Sequence, residues 1–264
     1  MSILFLSCND DELKDADLKQ SYYGDNEDST GVGSVVVVFN NIDTVEVEYK
    51  TYDSLDIVDG DMIITDHHHN TNKFFGNIRL GRIWLNRTLP YVLSPGLPEN
   101  IKDNINYAIK HWENVTDIDF VERDLNHKDY VEFVKGSSSY IGSSSVGRIG
   151  GKQFLYLGSK TGKAVAIHEI GHALGLYHEH TRKDRDKYIK ILYENIAAKN
   201  HKWFNLLVGD TTGPYDFKSR MHYSKYARSK NGRITIRPLN NNNKIENNGL
   251  LSEGDINAIK RLYK

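Results

Sequence analysis

Three short runs near the start of the chain, Val35 to Phe39, Val45 to Tyr49 and Met62 to Thr65, are apolar and rich in β-branched residues. Turn residues at Asn40-Asn41, Asp43 and Asp59-Gly60 break them, so the pattern predicts a small β-containing segment over roughly residues 32 to 64. Further on the period changes. Ile105, Ala108, Ile109 and Trp112 recur at helical spacing after Pro98, which predicts a long helix from Asp103 to Glu113 with one buried face. Ile118 to Glu122, Tyr130 to Val134 and Gln153 to Leu157 read as strands, and the serine- and glycine-rich stretch Gly136 to Ser145 reads as a mobile loop, either a plain connector or a cleft rim. A second apolar helical stretch holds Val165, Ala166, Ile167, Ile170, Ala173 and Leu174, and a last helix is expected from Glu253 to Tyr263.

Composition narrows the class without choosing it. The 264 residues carry a net charge of −1, with 39% hydrophobic and 11% aromatic residues, as an ordinary globular protein does. Basic residues such as Lys183, Arg185 and Lys187 interleave with Asp184 and Asp186, a solvated face that offers nothing to nucleic acid. No stretch approaches the roughly 18 apolar residues of a transmembrane span. Cys8 is the single cysteine, so no intramolecular disulfide can form, and a chain of this size can bury enough apolar surface without one.

The chemistry is concentrated in residues 168 to 178, which read HEIGHALGLYH. On a helix His168 and His172 share a face one turn apart, with Glu169 beside them. A third ligand ten residues from the first would lie turns away if the helix ran on. Gly175 can take a left-handed, helix-ending conformation that swings Leu176 and Tyr177 round a corner and returns His178 to the same point. Three imidazoles with an open position describe a catalytic zinc site rather than a closed structural one. Downstream, Ser219 to Tyr223 supplies Met221 for a tight turn beneath the metal and the phenol of Tyr223 two residues later.

With these residues in place the chain resembles the metzincin zinc peptidases and, among them, the astacin family. The string His178-Glu179-His180-Thr181-Arg182-Lys183-Asp184-Arg185-Asp186, then Tyr215-Asp216 leading into Ser219, Met221, His222 and Tyr223, is similar to that family's signature, and the resemblance runs from about Arg82 to Lys264. It implies an α+β, zincin-like catalytic domain: a twisted mixed sheet, two long helices with the second carrying the ligands, a largely irregular lower part and a C-terminal helix. It also implies one catalytic zinc ion on His168, His172 and His178, with Glu169 as general base toward a zinc-activated water. Tyr223 would be a fifth ligand that swings off to bind the oxyanion, and Glu179 would anchor the new N-terminus after processing. An open edge at Gln153, Phe154, Leu155, Tyr156 and Leu157 would hold extended protein or peptide substrates by strand addition.

A β-containing segment ahead of such a domain is most simply a prosegment, which divides the chain into residues 1–73, signal remnant and prosegment, and a catalytic domain at 74–264. Val58-Asp59-Gly60-Asp61 resembles the family's prosegment motif, in which the aspartate fills the metal's open position; valine stands here for the aromatic. Tyr22-Tyr23-Gly24-Asp25 matches the letters better but lies far upstream. Cys8 is a rival blocker, since a thiolate binds zinc more strongly than a carboxylate, and it is equally readable as a lipid-anchored or an inert residue. His67, His68 and His69 read as a solvated stretch, because consecutive side chains on an extended backbone point to opposite faces. The expectation is therefore a secreted or bacterial cell-surface or periplasmic enzyme, lipidated if Cys8 is the anchor, with its own prosegment as inhibitor and a separate activating protease. A catalytically silent zinc-binding or adhesion module on the same fold is the alternative, as is a metal-storing or structural protein. The presence of Glu169 and Tyr223 speaks against the first, and an open coordination position against the second.

Overall fold

The computed structural model describes residues 31–39, 43–52, 55–66, 78–79, 83–137, 142–207, 213–246 and 248–264. Cys8, Tyr22 to Asp25 and His67 to His69 lie outside them, so the readings placed on those residues are not addressed by the structure. Among the described residues no helix is long and apolar enough to cross a membrane.

Helix α1, Glu99–Val115, starts four residues earlier than the spacing suggested, directly after Pro98. Its buried positions Ile101, Ile105, Ala108, Ile109 and Trp112 form one stripe. The N-terminal end is set by proline, whose fixed φ suits a helix start, and the other end by Thr116, whose hydroxyl donates to Trp112 O at 2.7 Å. Helix α2, Lys163–Ala173, is different in kind: every residue from Ala164 to Ala173 is buried, the mark of a helix enclosed on all sides. Trp112 ties the two together by donating its indole N–H to Ile167 O at 3.1 Å. The third helix, α3, covers Glu253–Leu262 and begins with a capping box between Ser252 and Asp255.

The strands are β1 (Gly31–Phe39), β2 (Asp43–Tyr52), β3 (Leu55–Val58), β4 (Met62–Asp66), β5 (Ile78–Arg79), β6 (Thr88–Leu93), β7 (Asp119–Glu122), β8 (Tyr130–Lys135), β9 (Gly142–Ser144) and β10 (Lys152–Leu157). They make one sheet in the order β5-β1-β2-β3-β4-β9-β10-β8-β6-β7. β6, β7, β8 and β10 run parallel, with α1 as the crossover between β6 and β7, whereas β9 is antiparallel to β10. The N-terminal strands extend this sheet rather than forming a separate body: Met62 of β4 pairs with Ser144 of β9, and Ser144 N donates to Asp61 O at 3.0 Å. A second, two-stranded sheet joins β11 (Ile189–Ile191) to β12 (Ile236–Pro238).

Two expectations are corrected here. β10 is not an open edge: β8 lies on one side of it, and β9 on the other over Leu155 to Leu157. Gln153, Phe154, Leu155, Tyr156 and Leu157 therefore cannot as a whole receive a new strand; Gln153 is turned inward instead, donating to Gly147 O and accepting from Ile149 N. The loop at Gly136 to Ser145 likewise contains β9, and β9 is the strand that β4 covers.

Two apolar clusters flank the cleft. The upper one joins α1 and α2 to inward residues of the sheet, including Leu89, Val131, Phe133, Leu155 and Leu157. The lower one gathers Ile189, Ile191, Trp203, Phe204, Tyr215, Tyr223 and Ile236. On the opposite face of β10, Tyr156 packs against Leu55, Ile57 and Ile63 from β3 and β4, so apolar contact also holds the N-terminal hairpin to the sheet.

Candidate metal centre

Helix α2 ends as a glycine stop requires. Gly175 has φ +109°, its N–H donates to His172 O at 2.8 Å, and Leu176 N–H donates to Gly171 O at 2.9 Å. The chain is thereby turned back, and His178 comes round to His168 and His172. The Nε2 of His168 lies 3.1 Å from the Nε2 of both other rings. Each ring is oriented from its far side. His168 Nδ1 donates to Arg220 O at 3.0 Å, His172 Nδ1 to Leu176 O at 2.8 Å and His178 Nδ1 to Asp59 Oδ2 at 2.7 Å. With the protons on Nδ1, three lone pairs point at one centre.

A carboxylate faces the same centre. Asp61 is fully buried; its Oδ2 is 3.4 Å from His168 Nε2, and its Oδ1 is 3.5 Å from His172 Nε2 and 3.3 Å from His178 Nε2. Neither oxygen of Asp61 makes a hydrogen bond, although both are buried, and the four ligand atoms lie within 4.8 Å of one another. Buried acceptors that face one another without a donor are costly unless a cation sits among them. The neutral nitrogen and carboxylate oxygen set suits zinc. Electrostatics divide the three rings. Burial lowers His168 to about 3 and also lowers His172, so these rings stay neutral. Burial acts the same way on His178, but the charges of Asp61 and Asp59 outweigh it and raise that ring to about 10. Asp61 itself, though burial works to raise it, is held well below the usual carboxylate range by the imidazoles, His178 foremost. The pocket draws in positive charge.

Asp61 reaches the centre from a strained turn. Asp59 has φ +48° and Gly60 φ +92°, and the turn packs so closely that a Cβ on Gly60 would stand 2.5 Å from Tyr223 Oη and 2.9 Å from Arg228 Nη2. Tyr223 donates its hydroxyl to Asp59 O at 2.6 Å, and its ring stacks on His180 with centroids 3.8 Å apart. Sequence reasoning found Asp61 but missed the contact between Asp59 and His178, whose partners are 119 positions apart. Only the Asp59-Gly60 pair, a turn signal, marked the place.

The other predicted residues fall around this centre. Glu169, on α2, is buried against β9, where a Cβ on Gly142 would come 2.5 Å from its Oε1; its Oε2 makes no hydrogen bond. Burial, with the nearby charge of Asp61, raises Glu169 well above the ordinary range. Met221 lies beneath α2, its sulfur 2.8 Å from where a Cβ of Gly171 would be, and its carbonyl accepts Glu179 N–H at 3.0 Å. Asp255, at the start of α3, fixes this turn by accepting Ser219 Oγ at 2.6 Å and Arg220 N at 2.8 Å. Glu179 accepts from Arg182 Nη1 at 3.0 Å and from Asp216 N at 2.7 Å, and burial raises it to about 7.

Known proteins share this sequence and fold. The family model of the astacin peptidases matches residues 76–264. Zinc metalloproteinase nas-13 of Caenorhabditis elegans is 38% identical over 185 residues, which is 68% of this chain and 40% of that protein. Blastula protease 10 of Paracentrotus lividus is 35% identical over 216 residues, 76% of this chain and 35% of that protein. The chain thus spans well under two thirds of these curated relatives. Among solved structures, high choriolytic enzyme 1, a hatching enzyme zinc-protease from Oryzias latipes, is 34% identical with a TM-score of 0.62, covering 70% of this chain and 94% of that one.

Proposed function

Because the chain belongs to the astacin family of zinc metalloendopeptidases, we propose that it is a secreted member made in latent form. In this reading residues 1–73 close the cleft of a catalytic part at 74–264, and a separate protease opens it by cutting the junction. The observation that carries the reading is Asp61, whose carboxylate stands within 3.5 Å of the Nε2 of all three histidines. Asp61 is preferred over Cys8 as the blocker on that geometry.

His168, His172 and His178 would hold the zinc ion, which when bound supplies Lewis acidity at the scissile carbonyl. Everything else falls to the polypeptide. Departure of the prosegment uncovers β9, whose backbone can pair with an extended substrate. Glu169 takes a proton from the attacking water and returns it to the leaving nitrogen; loss of the neighbouring Asp61 charge removes one cause of its raised pKa and favours the base form. Tyr223, freed from Asp59 O, donates its hydroxyl to the developing oxyanion. The emergent N-terminus then pairs with Glu179.

Casein hydrolysis by the purified protein tests the reading. It should be absent from the intact chain, appear after limited trypsin treatment, vanish with a chelator and return with zinc. Absence of hydrolysis after cutting, with zinc bound, would favour a silent binding module instead.

A further inference from the structure

The three histidines are not oriented alike. His168 and His172 donate their Nδ1 protons to backbone carbonyls, Arg220 O and Leu176 O, which remain with the catalytic part whatever happens at the junction. His178 donates to a carboxylate, Asp59 Oδ2 at 2.7 Å, and that carboxylate belongs to the N-terminal segment. Asp59 and Asp61 therefore hold opposite sides of one ring: Asp61 Oδ1 lies 3.3 Å from His178 Nε2, and Asp59 approaches Nδ1. The chain is shaped for this. On a regular strand residues 59 and 61 would project side by side from one face, but φ +48° at Asp59 and φ +92° at Gly60 fold the chain so that the two carboxylates reach opposite sides of one imidazole. The contact is sealed from water, with Asp59 5% exposed and His178 fully buried. Tyr223 Oη locks the turn by donating to Asp59 O at 2.6 Å.

A carboxylate on the outer nitrogen of a metal-binding histidine fixes its tautomer and strengthens the inner lone pair, and removing such a partner costs about 10- to 100-fold in metal affinity. We propose that Asp59 is a positioning residue that tightens zinc binding at His178 in the precursor and leaves with the prosegment, so that the prosegment loads the metal as well as covering it. This rests on the latency reading above. After activation the third ligand no longer has this carboxylate, and part of the precursor's hold on zinc goes with it.

The test compares the intact wild-type precursor with Asp59→Asn and Asp61→Ala, each titrated with zinc against a chromophoric chelator and assayed for peptide hydrolysis. Asparagine tolerates the positive φ, so the turn is kept while the charge is lost. Asp59→Asn should weaken zinc binding at least about 10-fold, while the melting temperature of the metal-free protein changes little. Unchanged zinc affinity would overturn the proposal, as would an equal loss of melting temperature with and without metal, the mark of a merely structural contact. Asp61→Ala separates the two readings: if that precursor hydrolyses peptide while Asp59→Asn binds zinc normally, latency stands and the role of Asp59 falls. Should Asp59→Asn not fold, the wild type decides by proton NMR of the zinc-loaded protein labelled with 15N-histidine. The Nδ1 proton of His178 should resonate far downfield in the precursor and move upfield on activation, and no movement would refute the proposal.

Discussion

Gly60→Ala puts a methyl group where the turn proposed to close the cleft meets Tyr223. At φ +92° an L-residue is strained, at a cost of about 1–2 kcal/mol. The new Cβ would also stand 2.5 Å from Tyr223 Oη and 2.9 Å from Arg228 Nη2, both in buried surroundings, and overpacking of that kind costs about 1–3 kcal/mol. Together these give roughly 2–5 kcal/mol against the closed turn, which at 1.36 kcal/mol per decade raises the open population about 30- to 5,000-fold. The assay is basal hydrolysis of a quenched peptide by uncut precursor, with the junction's integrity checked by mass. The variant should leak activity in that proportion and lose its prosegment faster to added protease. Once processed, both proteins should be identical in rate, because in the proposed latent form residue 60 departs with the prosegment; that comparison also shows that the catalytic part folded. A Gly60→Ala precursor as silent and as heat-stable as wild type would mean that the turn is not pressed against Tyr223, and the geometry of closure would be wrong.

Other substitutions probe the catalytic side. Glu169→Gln in the processed enzyme should keep stoichiometric zinc, read by metal analysis, and lose about 100- to 10,000-fold in kcat. Tyr223→Phe should lower kcat about 10- to 1000-fold with little change in KM, and a change confined to KM would make the residue a substrate contact. Gly142→Ala drives a methyl group to 2.5 Å from Glu169 Oε1, so kcat should fall about 5- to 160-fold with zinc retained, from the roughly 1–3 kcal/mol of displacing a packed side chain. Burial raises Glu179 from 4.5 to about 7. Its folded pKa is above the unfolded one, so its contribution to precursor stability is fully present below pH 4.5 and is lost as pH rises through 7. The slope integrates to roughly 3 kcal/mol at most. Denaturant titrations of Glu179→Gln across that window should be flatter than wild type.

The convergence of the three histidines was legible because its geometry is local. The i, i+4 spacing of His168 and His172 and a glycine at position 175 specify a helix, its end and the return of His178 almost without tertiary help. Helix α1 was legible for the same reason, except for its first turn, where Ile101 belongs to the buried stripe but stands too near Pro98 to be counted from periodicity alone. β9 was not legible. Gly142-Ser143-Ser144 has no apolar alternation, and it becomes a strand because β10 on one side and β4 on the other satisfy its backbone. Gln153 to Leu157 reads as an edge because its apolar content fits a half-covered strand as well as a central one. The grip of Asp59 on His178 depends on a left-handed aspartate, whose one trace in the sequence is the Asp59-Gly60 turn pair, and on a partner 119 positions away, which leaves none.

In the proposed latent form three histidines and Asp61 share one zinc ion in the uncut chain. Zinc-edge X-ray absorption on the intact precursor tests it directly. Three imidazole nitrogens are expected at about 2.0–2.1 Å and carboxylate oxygen at about 2.0–2.2 Å, with no sulfur, and the carboxylate signature should be lost in Asp61→Ala. A scatterer at about 2.3 Å would instead put the Cys8 thiolate on the metal, and a spectrum unchanged by Asp61→Ala would remove Asp61 from the site.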